Sequence, residues 1–301
     1  MPNALITTIL ISASSVLFLA TVSPEVSDTI VNDIPPSIIV SPQIPEYAFL
    51  AGEQVPLNSF SVRENFDKEL IINTYRHSSS ILYLKRASRW FPIIEPILEE
   101  NGIPNDFKYL AVIESGLTQA VSPAGASGFW QFMKKTAPEY GLEVTLTVDE
   151  RYHVEKSTHA ACLYLNESYE KFGNWALAAA SYNMGMSGVE KRLESQGVDS
   201  YWDLHLNSET GRYVYRILAV KAVLSNPEVY GFHLTENDLY PPYEVREMAI
   251  TTSIENLSEF ALKNGSNYRE LKALNPWLRK DSFIVSPGKT YSVLFPKTVT
   301  E

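Results

Sequence analysis

The sequence predicts a mainly α-helical domain followed by a small α+β unit. Three observations carry this. From Ile81 to Ser225 the apolar residues recur at helical spacing, and each run stops at a Gly, Asn or Pro. Pro241-Pro242 breaks the chain after the last long helix. Beyond it, short strand-like segments at Tyr243-Glu244-Val245 and Tyr291 to Phe295 flank two helical ones, Ile254 to Lys263 and Tyr268 to Leu274.

The chain begins with an uncharged run, Ala4 to Val22, rich in Leu, Ile, Val, Phe and Ala. It is close to the roughly 20 residues that a membrane span requires. Residues 1–23 are expected to be a cleaved signal peptide or an uncleaved membrane anchor, so the protein is expected to be exported. No cysteine follows the run, so lipid modification of the N-terminus is not expected. Residues 24–60 hold Pro35, Pro36, Pro42, Pro45 and Pro56 and read as a linker. The alternative is an arm packed on the domain through Tyr47, Phe49 and Leu50.

The helical domain is expected over residues 61–232. Ile81 to Glu100 places Leu84, Ala87, Trp90, Phe91, Ile94 and Leu98 on one side, with a possible kink at Pro96. Ile103 to Gly116 reads as the next helix, capped by Asn105 or Asp106 and ended by Gly116. Phe107, Leu110 and Ala111 form its apolar stripe, and Glu114 continues that stripe. A carboxylate on an inward face, in the last turn, is disfavoured as an anion by burial and by the helix dipole. Its pKa is expected to be raised, which suits a general acid. A satisfied core glutamate is the competing reading.

Ser122 to Gly128 reads as a small-residue loop too flexible for a core, and Phe129 to Met133 as an apolar run with Gln131 inside it. That amide suits an aromatic-walled cleft. Trp130 fits the cleft or the core about equally. Val154 to Phe172 is a helix ended by Gly173. Asn174 caps an alanine-rich helix to Tyr182, and Ser187 with Glu190 suits a capping box for the next. Glu209 to Ser225 is the last long helix.

The acidic balance, a net charge of -10, argues against nucleic acid as partner. The single cysteine, Cys162, excludes an intrachain disulfide and reads as a buried thiol. The five histidines show no zinc-ligand spacing, so neither a metal nor a cofactor is expected.

Four short motifs stand in order: Glu114-Ser115, Gly128-Phe129-Trp130-Gln131, Ser181-Tyr182-Asn183-Met184-Gly185, and Tyr213-Val214 after Glu209-Thr210. With Asp149 to Leu165 and Phe172 to Asn183, they make residues about 80 to 230 resemble the catalytic domain of lytic transglycosylases, lysozyme-like enzymes that cleave bacterial peptidoglycan. Ser181 departs from the family's alanine, and Lys134 from its frequent proline. The resemblance implies a lysozyme-like helical fold and one glutamate, Glu114, acting as general acid and base. The product would carry 1,6-anhydro-MurNAc ends. It also implies Ser115, Gln131, Tyr182, Asn183 and Tyr213 as substrate-binding residues, glycan strands as partner, and the periplasm or cell envelope as location.

Glycosidases ordinarily need two carboxylates. Asp149, Glu150 and Glu155 are the nearest in sequence, and they suit a helix N-terminus better. A hydrolytic muramidase and a non-catalytic wall-binding protein are the competing readings. Residues 243–297 resemble a LysM domain through Tyr243-Glu244-Val245, Leu274-Asn275-Pro276 and Pro287-Gly288. The usual Gly-Asp is replaced by Glu247-Met248-Ala249, which leaves glycan binding and a degenerate structural cap both open. Few contacts are expected across Pro241-Pro242.

Overall fold

The computed structural model describes residues 39–297. The expected signal or anchor at residues 1–23 lies outside the described residues. Among the described residues no helix is long and apolar enough to cross a membrane.

A short hairpin, β1 (Phe49–Leu50) against β2 (Glu53–Gln54), opens the described chain. Seven helices follow: α1 (Phe60–Tyr75), α2 (His77–Glu100), α3 (Lys108–Ser115), α4 (Val154–Phe172), α5 (Trp175–Met184), α6 (Met186–Gln196) and α7 (Thr210–Ser225). The chain ends in β3 (Val245–Ile250), α8 (Leu257–Lys263), α9 (Tyr268–Leu274) and β4 (Tyr291–Pro296), with β3 and β4 antiparallel from Val245↔Pro296 to Ile250↔Tyr291. The mainly α expectation with a small α+β unit holds.

The core is organised around two short elements. Helix α5 is buried almost all round, because Ala176, Ala178, Ala179 and Ala180 let α4 and α7 approach it closely. Asn174 caps it as expected, its side-chain oxygen accepting from the Leu177 N–H at 2.9 Å. Helix α3 buries Leu110, Ala111 and Val112 between α2 and α7. It is shorter than expected: residues 105–107 form a 3-10 turn first, and no side chain caps the α-helical start. Gly116 ends it in the left-handed region at φ 62°, where a Cβ would lie 2.8 Å from the Tyr83 ring.

Several boundaries move. Helix α2 runs unbroken through both Pro92 and Pro96. The Ser187–Glu190 capping box does not form, because α6 begins at Met186 with Gly185 as its cap, and Glu190 instead pairs with Lys171 at 2.8 Å. Residues 44–57 are not a free linker. Ala48, Leu50, Val55 and Leu57 are buried in the main core, while Tyr47 and Phe49 stay exposed. Glu53 accepts from Asn174 Nδ2 at 2.8 Å and from the Trp175 N–H at 2.9 Å, so the hairpin holds the start of α5. Cys162 is buried as expected, and burial pushes its thiol up to about 12.

Among the described residues, the chain from Ser41 onward forms one compact unit. Few contacts were expected across Pro241-Pro242, yet Val148 and Tyr152 share a core with Leu257, Leu271, Trp277 and Phe283. The Asp149 N–H donates to Trp277 O and the Arg279 N–H to Thr147 O. Glu143 accepts from Lys289, Ser286 and Tyr291. The α+β unit is therefore docked on the segment before α4.

Candidate active site

Glu114 sits one residue before the end of α3 and is partly exposed. The Tyr213 hydroxyl, from α7, donates to its Oε1. Its pKa is raised, and burial is the largest cause. The Tyr213 hydrogen bond and the Arg216 charge oppose the rise, and the Glu209 charge adds to it. Tyr213 is fully buried, and burial together with the Glu114 charge pushes its own ionisation far up, so it remains a neutral donor.

The start of α7 supplies the next layer. Asn183, near the end of α5, accepts from Thr210 Oγ1 at 2.7 Å and donates Nδ2 to Glu209 Oε1 at 3.3 Å. Arg216 donates Nη2 to Ile113 O at 2.7 Å, which ties α7 to the end of α3 that carries Glu114. Tyr182 donates to Trp130 O at 2.9 Å, and the Glu114 charge is among the causes of its raised pKa, after burial.

Glu114, Tyr182, Asn183 and Tyr213 thus converge. Ser115 does not join them through its hydroxyl, which donates to Ala111 O at 3.1 Å and accepts from the Thr118 N–H at 3.4 Å. That bonding secures the end of α3. Gln131 adopts φ 50° and donates Nε2 to Ala120 O at 3.0 Å and Gly128 O at 2.8 Å. Its amide nitrogen therefore stitches the loop together, and its oxygen forms no hydrogen bond among the described residues.

Trp130 belongs to the core. It is fully buried, and its indole N–H donates to Thr158 Oγ1 at 2.8 Å. The loop before it is also more rigid than the sequence suggests. Gly128 has φ 81°, and a Cβ there would lie 1.9 Å from Arg151 O. The Arg151 guanidinium holds Gly125 O and Phe132 O at 3.1 Å each, and Asp149 fixes Arg151 with contacts of 2.7 and 2.9 Å. Asp149 is therefore committed to the scaffold. Glu150 is likewise bound to Lys156 and to the Glu143 N–H.

Glu209-Thr210 were read in the sequence only as the lead-in to Tyr213-Val214, with no role given, and Arg216 was missed. Their signal was helical spacing: they stand four and three residues before Tyr213 and three after it, on one face. Among the described residues no group of three or more His, Cys, Asp or Glu could hold a metal ion.

Residues 91–204 match the transglycosylase SLT domain, and residues 246–299 match the soluble lytic transglycosylase C-terminal LysM-like domain. The chain therefore carries an SLT domain followed by a LysM-like domain. It is 29% identical over 270 residues to the membrane-bound lytic murein transglycosylase D of Escherichia coli strain K12, an alignment that covers 86% of this chain and 57% of that protein. A putative tributyltin chloride resistance protein of Alteromonas is 28% identical over 112 residues, 36% of this chain and 54% of the relative. An inactive mutant of the lytic transglycosylase Slt from Pseudomonas aeruginosa covers 51% of this chain and 26% of that one, at 20% identity and a TM-score of 0.38. The chain spans a little over half the length of these curated relatives.

Proposed function

We propose that this protein is a peptidoglycan lytic transglycosylase that cleaves the MurNAc–GlcNAc β-1,4 bond without water. The observation that carries the reading is Glu114, a carboxyl group whose pKa burial raises and which a neutral Tyr213 hydroxyl holds. As the acid it gives its proton to the glycosidic oxygen, and the leaving sugar departs from C1. The substrate's own N-acetyl group stabilises C1, a known alternative to a second enzymatic carboxylate. The Glu114 carboxylate then takes the proton of the C6 hydroxyl as O6 bonds to C1. That hydroxyl is already beside C1, so the step is intramolecular and strongly favoured. The product is a 1,6-anhydro end.

Tyr213 positions the Glu114 carboxyl, and Tyr182, Asn183 and Gln131 contact the glycan through groups left over from their internal bonds. The protein acts in the cell envelope, attached to the membrane or freed from it by removal of residues 1–23. The related transglycosylase D is named as membrane-bound, in keeping with this.

A second reading is supported by Glu209, whose charge reaches Glu114. It is exposed, and as a base it would activate water and make the enzyme a hydrolytic muramidase. Digestion of purified cell wall in oxygen-18 water separates the two. The transglycosylase yields anhydro ends without label. Muropeptides one water heavier, labelled at C1, would establish hydrolysis. No cleavage at all by the folded protein would leave a wall-binding protein.

A further inference from the structure

A cavity of about 450 Å³ lies at the junction of the helical and LysM-like units, lined by both. That volume suits a small ligand. From α2 come Arg86, Arg89 and Trp90, from the segment after α3 comes Gln119, and from the junction comes Tyr243. Among the described residues neither arginine forms an ion pair. Arg89 Nε donates to Pro241 O and Nη1 to Tyr243 Oη, both at 2.9 Å, which leaves its Nη2 hydrogens unspent. Arg86 spends one bond, from Nη1 to Gly116 O at 3.0 Å. Gln119 donates Nε2 to Tyr152 O, while its Oε1 is buried and accepts nothing. A buried acceptor left unsatisfied calls for a donor from a ligand or a water. Glu155 and Glu247 also line the cavity. Trp90 and Tyr243 make an aromatic wall, with ring centroids 5.9 Å apart.

We propose that this junction cavity binds a short carboxylate-bearing peptide, of the kind carried by the wall glycan, with Arg86 and Arg89 taking its carboxylates and Gln119 Oε1 accepting one of its N–H groups. The assignment of the peptide to the wall rests on the transglycosylase reading. Guanidinium groups with free paired donors recognise carboxylates in a two-pronged way. Glu155 and Glu247 suit an ammonium group, so a peptide carrying both charges fits the lining better than a neutral sugar. Arg86 also holds the carbonyl of the glycine that ends α3, so an occupied cavity touches the helix that carries Glu114.

The test is titration calorimetry on the full chain with the synthetic tripeptide L-alanyl-γ-D-glutamyl-L-lysine. The same peptide with its carboxylates amidated and an N-acetylglucosamine oligomer serve as controls. The expected result is binding of the tripeptide, weakened tenfold or more by amidation and by Arg86→Gln or Gln119→Leu. Arg89→Gln is a third variant, read only where circular dichroism shows a native fold, since Arg89 also ties Pro241 and Tyr243. No measurable binding to the wild type, or a change of less than threefold in Arg86→Gln and Gln119→Leu, overturns the proposal. The Glu114→Gln protein is expected to bind the tripeptide as the wild type does. Loss of this site and loss of the transglycosylase reading are therefore seen in different measurements.

Discussion

Replacing Glu114 by Gln removes the proposed proton donor, a carboxyl group whose ionisation burial disfavours. Turnover on wall glycan is expected to fall by about 10²–10⁴-fold, the range for a general acid. Stability should move the other way. Because the folded-state pKa of Glu114 is raised, the stability of the neutral acid is present below the unfolded value and is lost as pH rises through the folded one. Glu114→Gln is therefore expected to raise stability at neutral pH by about 0.5–2 kcal/mol, as active-site substitutions of this kind do. The gain should vanish in acid, and urea denaturation at the two pH values checks both. Tyr213→Phe removes the hydrogen bond that holds the Glu114 pKa down. The alkaline limb of the pH–rate profile should move to higher pH while turnover falls. An unchanged limb would mean that the hydroxyl has no hold on the acid.

Single elements carry their own tests. The hairpin β1–β2 hydrogen-bonds to the start of α5 through Glu53, so Glu53→Ala should cost about 1 kcal/mol, the size of a lost helix cap. Thermal unfolding measures it, and a null effect would return residues 44–57 to the status of a linker. Gly128→Ala meets both a left-handed backbone and the Arg151 carbonyl. The backbone alone costs about 1–3 kcal/mol, and a rise in unfolding midpoint would be incompatible with the loop geometry described above. The sequence marked the helices well because their apolar periodicity is local. It marked the start of α6 poorly, because Ser187 and Glu190 satisfy a capping pattern that Gly185 and Lys171 override.

At the scale of the molecule the prediction concerns the docked LysM-like unit. A chain ending at Phe232 takes away the partners that Val148 and Tyr152 pack against, among them Leu257, Leu271, Trp277 and Phe283. Val148 alone is worth about 1.5–3 kcal/mol when fully buried. A lower unfolding midpoint is expected for the shortened chain, and an equal one would mean that the two units do not share a core. The seam should also weaken in acid. Burial pushes the Glu143 pKa up, but hydrogen bonds from Lys289, Tyr291 and Ser286 outweigh it and hold the pKa below the ordinary value. That contribution is present above the unfolded pKa and is lost as pH falls through the folded one.

By itself the sequence determined the helical class, the order of the elements and the LysM-like ending, and it singled out Glu114 as the candidate acid. Each of these is written in local spacing: a stripe that ends at Glu114, a glycine that closes its helix, a double proline before the last unit. Only the tertiary structure decided which polar groups lie around Glu114. Trp130 suited the cleft and the core about equally, and it went to the core because Thr158, a turn inside α4, offers its indole a partner. Asp149 suited a helix N-terminus better than a second acid, and the structure commits it to Arg151, whose carbonyl lies against Gly128. Glu209, named only as the lead-in to a motif, and Arg216, outside every motif, reached Glu114 because α7 packs on α3. A side chain's partners across the fold are set by packing between segments far apart in the chain, and local spacing does not encode them.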